Sequence, residues 1–371
     1  MRKCKLGDLF EIKQGYAFKS EKYQSAGKYV LCTLGNISAD NNFKYDLSKA
    51  NYYPDDFSHT FILEEGDLII PLTEQAVGLF GNTAFIPLTN GFQFVLNQRV
   101  GKVIPKKAVA DKYYLHYLLS TELVRNQIEA TATGTSQRNT SPEKIYDVTV
   151  WVPDIEQQRK IGKTLFDLER KVNINKLIND NLEQQMRLIF ENMMAKAATH
   201  KLSGEYTIAQ NLATVVTGKE DANFSVPNGK YKFFTCSNTP LLCDEYVFDS
   251  SSVLIAGNGD FNVKHYSGKF NAYQRTYVLT PDKKYFGLLY LASLYRINSF
   301  KSRSSGSIVK FITKSDVENI PVFIPNDMFY LQELNKLIYL QEQNKLENEL
   351  LVNLRDWLLP MLMNGQATVS D

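Results

Sequence analysis

Apolar residues recur in steps of three and four along two long segments of the chain. In the first segment they lie at Ile161, Leu165, Leu168, Val172, Leu182, Met186, Ile189 and Met193. In the second segment they include Leu334, Leu337, Ile338, Leu346, Leu350, Leu354, Leu358 and Met361. Residues three and four apart lie on one face of an α-helix. The pattern therefore predicts two long amphipathic helices.

The two predicted helices need a cover for their apolar faces, and we expect them to pair antiparallel, unless a partner protein covers them. No Gly or Pro occurs from Lys163 to His200, although Asn175 and Asn179 interrupt the apolar face there. A buried Asn can fix the register of paired helices at a cost in stability. Stop signals for the second helix occur at Leu359-Pro360 and Asn364-Gly365. Helices of about 35–40 residues are roughly 55 Å long, which suits a rigid spacer.

A stretch of twenty residues precedes each predicted helix, and the chain contains this stretch twice. GTSQRNTSPEKIYDVTVWVP occupies 134–153 and GSIVKFITKSDVENIPVFIP occupies 306–325, an offset of 172. Ser141 before Pro142 is a typical helix N-cap, and Thr313 with Asp316 resembles a capping box. An apolar alternation ending in Pro then predicts a strand in each copy.

The repeat extends upstream of these stretches. LGDLFEIKQGYAF at the start resembles IAQNLATVVTGKE near Ile208, and the pairs Gln98-Arg99 and Gln274-Arg275 each precede a predicted strand. Each half is predicted to contain a helix, many short strands, a helix, a Gly-led turn, a short capped helix and a final strand. The Gln-Arg pairs are expected within strands, as structural hydrogen-bonding groups or as ligand contacts. The fold class is α+β, with two similar globular α/β domains separated by two long antiparallel helices that form a coiled-coil spacer with pseudo-two-fold symmetry.

Composition agrees with this organisation. At 371 residues the chain is too long for one typical core, and 44% apolar with 22% charged residues is typical of a globular protein. No run of eighteen apolar residues and no secretory signal is found, so we expect no membrane association. Cys4, Cys32, Cys236 and Cys243 form no metal-binding spacing with the four histidines, which indicates reduced thiols in a cytoplasmic protein.

Several blocks, taken in order, resemble the specificity subunits of type I restriction–modification systems. VWVPDIEQQRKIGKTLFDLERKVN at 150–173 is similar to the family's IPLPPLEEQ-x-x-I block, with Glu156, Gln158 and Ile161 in the matching places. LGDLFEIKQGYAF resembles the family's LGD…G opening, GTSQ its GS/T-x-Q element, and LRDWLLPMLMNGQATV its C-terminal ending. The second copy departs from the pattern, because it has PNDMFYLQEL where the first has PDIEQQRKI.

The resemblance implies a non-catalytic reader of double-stranded DNA. Target recognition domains at 1–153 and 205–325 would each read one part of a split, asymmetric sequence. Spacer helices at 154–204 and 326–371 would set the gap and dock two methyltransferase subunits. Those subunits bind S-adenosylmethionine and methylate adenine, and motor-nuclease restriction subunits can join them. The chain itself would hold no cofactor.

DNA contacts are expected from polar and basic residues in loops, because base edges and phosphates are bound by such side chains. In the first half we select Gln14, Tyr16, Lys19, Thr73, Glu74, Gln75, Ser136, Gln137, Arg138 and Asn139. In the second half we select Lys219, Asn238, Asn258, Asp260, Asn262, Lys264, Lys301, Arg303, Ser304, Ser305 and Lys310. The run SFKSRSSGSIVK suits phosphate binding, or else a solvated helix end and loop.

Other functions remain open at this level. The net charge of +2 neither requires nor excludes nucleic acid. A two-headed ligand-binding scaffold on a coiled coil, with no DNA role, is one alternative. An enzyme with a cleft between the two domains is another, but no methyltransferase motif, Walker loop, HExxH or GxSxG is found. We therefore expect no catalysis and no metal.

Overall fold

The structure is a computed structural model that describes residues 1–74, 78–134, 137–259, 261–303 and 311–370, with only the backbone of 300–303. The chain divides into two compact units. The first unit comprises residues 1–171 and 350–371, and the second comprises residues 172–349.

The first unit is a mixed α/β unit. Its strands are β1 Arg2–Lys5, β2 Phe10–Gln14, β3 Tyr29–Cys32, β4 Tyr52–Tyr53, β5 Leu68–Pro71, β6 Thr73–Glu74, β7 Ala84–Phe85, β8 Gln93–Leu96, β9 Val100–Pro105, β10 Arg138–Asn139 and β11 Thr149–Val152. Its helices are α1 Lys112–Ser120, α2 Glu122–Thr131, α3 Pro142–Tyr146 and the first part of α4 Ile155–Ala198. The sheets have the orders β2-β9-β5-β7 and β4-β3-β8, and the pairs β1-β11 and β6-β10 complete the unit.

The second unit is also a mixed α/β unit. Its strands are β12 Gly204–Ile208, β13 Ala213–Thr217, β14 Tyr231–Phe234, β15 Leu241–Cys243, β16 Phe248–Ala256, β17 Val263–Ala272, β18 Thr276–Pro281 and β19 Pro321–Pro325. Its helices, besides the second part of α4, are α5 Phe286–Arg303, α6 Lys314–Glu318 and the first part of α7 Met328–Met363. One sheet has the order β13-β18-β16-β17-β14-β15, and β12 pairs with β19.

The two units have the same strand connectivity. The antiparallel pairs β2-β9 and β5-β9 correspond to β13-β18 and β16-β18, and the parallel pair β3-β8 corresponds to β14-β17. In the first unit β7 and β8 together take the place of the continuous β17. Pro87 and Gly91, which has a φ of +83°, lie between them, and Pro lacks the N–H that a continuous ladder needs. The predicted duplication and fold class are confirmed.

The helices α4 and α7 run antiparallel where they meet in the second unit. Asn175 Nδ2 donates to Asn348 Oδ1 at 2.9 Å, and Lys196 Nζ donates to the Tyr330 hydroxyl at 3.2 Å. Rising residue numbers in α4 therefore meet falling numbers in α7. Asn175 is 1% exposed, which confirms a buried Asn between the helices.

In the first unit, the two helices share an apolar core. Ile161 and Leu165 of α4 are buried in one cluster with Leu362 and Met363 of α7. Each unit thus covers its own sheet with segments of both helices.

Three expectations about the elements were wrong. The chain does not begin with a helix, because Leu6–Asp8 is a single 3-10 turn and Phe10–Gln14 then pairs with β9. The helix before Gly134 is broken at Thr121, whose backbone is extended. Of the two stop signals, Pro360 does not end α7, which continues to Met363 and ends directly before the second signal, Asn364-Gly365.

The apolar face of α7 is only partly covered. Leu334 and Ile338 are buried, but Leu346, Leu350 and Leu354 are exposed. The reason is that polar Gln341, Asn344 and Asn348 of the same helix contact α4 instead. The other long helix therefore does not cover these three leucines.

Candidate nucleic-acid interface

A tight turn joins β8 to β9 in the first unit, with Gln98 and Arg99 at its two central positions. Val100 N donates to Asn97 O at 2.9 Å and closes the turn. Gln98 N donates to Tyr16 O at 2.9 Å, and Arg99 O accepts from Leu72 N at 2.9 Å. The backbone of the turn is therefore fixed by the segments that follow β2 and β5.

The turn between β17 and β18 repeats this arrangement in the second unit. Thr276 N donates to Tyr273 O at 2.8 Å, Gln274 N donates to Glu220 O at 2.9 Å, and Arg275 O accepts from Gly257 N at 2.8 Å. The expectation that both Gln-Arg pairs lie within strands was wrong. They occupy turns between strands that do not pair with each other. In the second unit β17 and β18 both pair with β16, and in the first unit β8 and β9 belong to different sheets.

A glycine lies against each turn. A Cβ at Gly15 would lie 2.1 Å from Asn97 O, and one at Gly218 would lie 2.0 Å from Ala272 O. No real Cβ contact is that short, so each position requires glycine. The residue that follows each glycine, Tyr16 or Lys219, is exposed.

Three selected residues of the first unit lie at this turn. Gln14 and Lys19 are exposed, and Tyr16 is 43% exposed with its ring against Phe18 and Phe61. A shallow cavity of about 340 Å³ beside the turn is lined by Tyr23, Thr33, Leu34, Gly35, Asn97, Gln98 and Arg99. The arrangement presents amide, guanidinium and aromatic groups on one surface, which are groups suited to phosphates and bases.

The selected residues of β6 and β10 form a paired, largely buried cluster. Glu74 is 1% exposed, and its carboxylate accepts from Leu79 N at 3.0 Å and Phe80 N at 3.2 Å. Arg138 lies 2.8 Å from the second carboxylate oxygen of Glu74. The Thr73 hydroxyl donates to Asn139 Oδ1 at 2.9 Å.

This cluster leaves few groups free to bind a ligand. The guanidinium of Arg138 also donates to Glu129 O at 3.0 Å and covers the ring of Phe80. Gln137 and the exposed Asn139 bond to each other. The charges of Glu74 and Arg138 thus hold the loop at 78–80 in place, while Gln137 and Asn139 face outward.

Four selected residues of the second unit lie on, or bond to, the segments after β14 and β16 that contact the turn at Gln274-Arg275. The loop after β14 contains the exposed Asn238. Asn262 Nδ2 donates to Cys236 O at 2.7 Å, and Lys264 Nζ donates to Thr235 O at 3.1 Å in the same loop. Asn258 follows Gly257, the residue that bonds to Arg275.

Lys264 is a weakened cation in this cluster. Burial lowers the pKa of Lys264 to about 8, so part of its population is neutral near pH 8. Because its amine also bonds to a loop carbonyl, Lys264 orders the loop that contains Asn238.

The remaining selected residues lie at the end of a described range or outside the described residues. Lys301 and Arg303 lie in the last turn of α5. Gln75, Ser136, Asp260, Ser304, Ser305 and Lys310 lie outside the described residues.

Sequence reasoning left Gln98, Arg99, Gln274 and Arg275 out of the selected set. The signal was their recurrence at the same place in both halves. The assumption that they lay in strands favoured a structural role, whereas the structure places them in turns with exposed or partly exposed side chains.

Clusters of metal ligands and membrane-spanning helices are both absent from the described part of the chain. In it, no group of three or more His, Cys, Asp or Glu residues is arranged to hold a metal ion. None of the helices described is both long and apolar enough to cross a membrane.

Known proteins share both the sequence pattern and the fold. The family described as "Type I restriction modification DNA specificity domain" matches residues 1–184 and 212–352. The EcoDI specificity subunit of Escherichia coli is 37% identical over 164 residues, which cover 42% of this chain and 37% of that protein. The MjaVIII specificity subunit of Methanocaldococcus jannaschii is 23% identical over 189 residues, 50% of this chain and 43% of that protein. These matches span less than half the length of the curated relatives.

A solved structure has the same fold over nearly the full length. The S subunit of a type I restriction–modification system from M. genitalium superposes with a TM-score of 0.67 at 18% identity, covering 98% of this chain and 96% of that one. Because the family match extends over most of the residues in both units, this chain belongs to the type I restriction–modification DNA specificity family.

Proposed function

We propose that this chain is the DNA-reading subunit of a type I restriction–modification complex and performs no catalysis itself. Residues 1–153 and 205–325 act as two target recognition domains, each reading one half of a split, asymmetric DNA sequence. The observation that supports this is the repeated connectivity with diverged side chains around each Gln-Arg turn. Equal folds with unequal surfaces suit two different half-sites.

The helical segments 154–204 and 326–371 are proposed as the spacer between the domains. α4 is a continuous helix of 44 residues, which corresponds to about 66 Å at 1.5 Å per residue. Half-sites one helical turn apart are roughly 34–36 Å centre to centre. The length of α4 is therefore sufficient to hold two modules on successive turns of one duplex.

The same helices are proposed to dock two methyltransferase subunits. In the first unit, Leu350, Leu354 and Trp357 of α7 are 62%, 43% and 58% exposed. In the second unit, Leu177 and Ile178 of α4 are also exposed. Large apolar side chains exposed at helical spacing are typical of protein interaction surfaces. The partner subunits would bring S-adenosylmethionine, and restriction subunits could join that assembly in the cytoplasm.

Methylome sequencing of a host with and without this gene tests the proposal. We expect one bipartite, asymmetric adenine-methylation motif to disappear when the gene is deleted and to return with a plasmid copy. Loss of no motif would count against the proposal. A gel-shift series with the methyltransferase partner, showing no salt-dependent DNA binding, would favour a ligand-binding scaffold instead.

A further inference from the structure

The two Gln-Arg turns combine the same dipeptide with the same backbone setting in two units that otherwise differ. Gln98-Arg99 and Gln274-Arg275 each have the amide of Gln and the carbonyl of Arg bonded to equivalent segments. The residues next to the turns are different, with Tyr16 and Lys219 as one example.

The fold does not explain why the dipeptide is the same. The turn is closed by backbone atoms, and none of the four residues has a positive φ that would restrict its identity. Among the described residues, no hydrogen bond or ion pair involves the side chains of these four residues. Gln98, Gln274 and Arg275 are exposed, and Arg99 is partly exposed beside the cavity of about 340 Å³.

Two modules that read different base sequences have one ligand in common, the sugar–phosphate backbone. Base-reading side chains must differ between such modules, whereas phosphate-binding side chains can be identical. We propose that Arg99 and Arg275 each bind a DNA phosphate and that Gln98 and Gln274 donate a hydrogen bond to the same backbone. The proposal rests on the proposed DNA-reading function and assigns these turns a positioning role that is independent of sequence.

The surroundings of the turns fit this division of roles. In the first unit the turn is flanked by Gln14 and Tyr16, and in the second by Lys219 and Asn258, each next to a residue that contacts the turn. If both turns bind the DNA backbone in the same way, the different side chains next to them would reach equivalent positions in the two half-sites.

The test uses the full chain assembled with its methyltransferase subunit and bound to the target found by methylome sequencing. The double variant R99A/R275A removes one proposed phosphate contact from each unit. Each lost contact lowers the slope of log K against log salt by about 0.9 on duplex DNA. Between about 50 and 200 mM salt we therefore expect a slope smaller by about 1.8, with the ranking of mismatched targets unchanged.

Matched controls distinguish a phosphate contact at the turn from a general effect of removing positive charge. K107A/K283A removes two cations as well, and both lysines are exposed beyond the opposite ends of β9 and β18. Six residues of strand lie between each lysine and its turn, roughly 20 Å. We expect little change of slope in this control. R99K/R275K should keep the slope, because a phosphate accepts either cation. Q98A/Q274A should weaken binding without changing the slope, because it removes no charge.

Several outcomes would overturn the inference. An unchanged slope and affinity in R99A/R275A would show that the arginines do not touch DNA. Relaxed discrimination at particular base pairs, in either the Ala or the Lys variant, would make them base readers. A fall of more than a few degrees in Tm would assign the pair to the fold. If the wild-type complex binds no bipartite target, the proposed function itself fails, and that result is visible before any variant is measured.

Discussion

His265 Nδ1 of β17 lies 2.5 Å from Glu342 Oε1 of α7 in the interior of the second unit. Lys345 Nζ lies 3.2 Å from the other ring nitrogen of His265. In the first unit the corresponding strand position is Phe85, which pairs with Leu68 as His265 pairs with Val253. The imidazole there comes from α1 instead.

The first unit has its own imidazole–carboxylate contact. His116 Nε2 lies 3.7 Å from Glu169 Oε2 of α4, and the Tyr117 hydroxyl donates to the same oxygen at 2.8 Å. In both units a glutamate of a long helix thus meets a buried histidine of the adjoining α/β part. The two units share this type of contact but take the histidine from different elements.

Glu342→Ala should destabilise the second unit. The substitution leaves the buried His265 without its carboxylate, and breaking a buried pair of this kind costs about 3–5 kcal/mol. Glu349→Ala is the control on the same helix, because Glu349 is half-exposed and pairs with Lys232. An exposed pair contributes at most about 1 kcal/mol. Urea unfolding of both variants measures the difference, and equal midpoints would contradict the expectation.

The same carboxylate predicts a pH dependence. Burial acts to raise the pKa of Glu342, but the hydrogen bond and charge of His265, followed by Lys345, outweigh it and hold the pKa below its usual value. A carboxyl with a lowered folded-state pKa stabilises the protein above its unfolded pKa, about 4.3 for Glu. This stability is lost as the pH falls through the folded-state pKa. Wild-type stability should therefore fall below about pH 4.3, and Glu342→Gln should flatten that part of the curve.

Arg138→Ala should destabilise the first unit. Removing Arg138 leaves the carboxylate of Glu74, which is 1% exposed, without a counter-charge, at a cost of about 3 kcal/mol. The double variant E74Q/R138A should recover part of this loss, because an amide is cheaper to bury than a charge. Unfolding midpoints of the two variants decide the matter. If R138A alone unfolds like the wild type, the ion pair is not structural.

Gly15→Ala should be strongly destabilising. The added Cβ would lie 2.1 Å from Asn97 O, so the turn at Gln98-Arg99 must move. Gly35→Ala, with its nearest neighbour at 3.6 Å in the Thr33 side chain, is the control. We expect a Tm lower by several degrees for Gly15→Ala only, from a cost of about 2–3 kcal/mol. Similar Tm values for both variants would mean that the backbone yields easily here.

Leu354→Ser combined with Trp357→Ser should impair assembly with the methyltransferase subunit and leave the fold intact. Both side chains are exposed on α7, so their loss removes little buried apolar area within the chain. Leu123→Ser, at a side chain 64% exposed on α2, is the matched control. Co-purification with the partner is the measurement. Normal recovery of the complex from the double variant would exclude this face as the docking surface.

Lengthening both spacer helices should widen the recognised gap. Seven residues, about two helical turns or 10 Å, would be inserted at the boundary between the units, after Lys171 in α4 and before Leu350 in α7. The paired insertion keeps Asn175 opposite Asn348. Because DNA rises 3.4 Å per base pair, we expect a gap longer by about three base pairs with both half-sequences unchanged. A change in either half-sequence would contradict a spacer role, and insertion into α4 alone should abolish methylation.

The sequence by itself determined the elements with strong local signals. The apolar period of 161–193 and the absence of Gly and Pro from Lys163 to His200 specified α4. Ser141 and Thr313 specified the starts of α3 and α6 through their caps. The duplication was visible as an offset of 172, and it implied two similar folds. These features depend on neighbours a few residues apart, which a single sequence displays.

The tertiary structure decided what depends on distant neighbours. A helix was expected at the start of the chain, but Phe10–Gln14 pairs with β9 and is a strand. Glu74 and Arg138 lie in polar segments of the kind that bind DNA. Only the contact between them, 64 positions apart in the sequence, shows that they form an internal ion pair. The side chains of Gln98 and Arg99 became candidates because long-range backbone bonds fold their segment into a turn. Such bonds join residues that are far apart in the sequence. The partner of each residue is therefore known only when the fold is known.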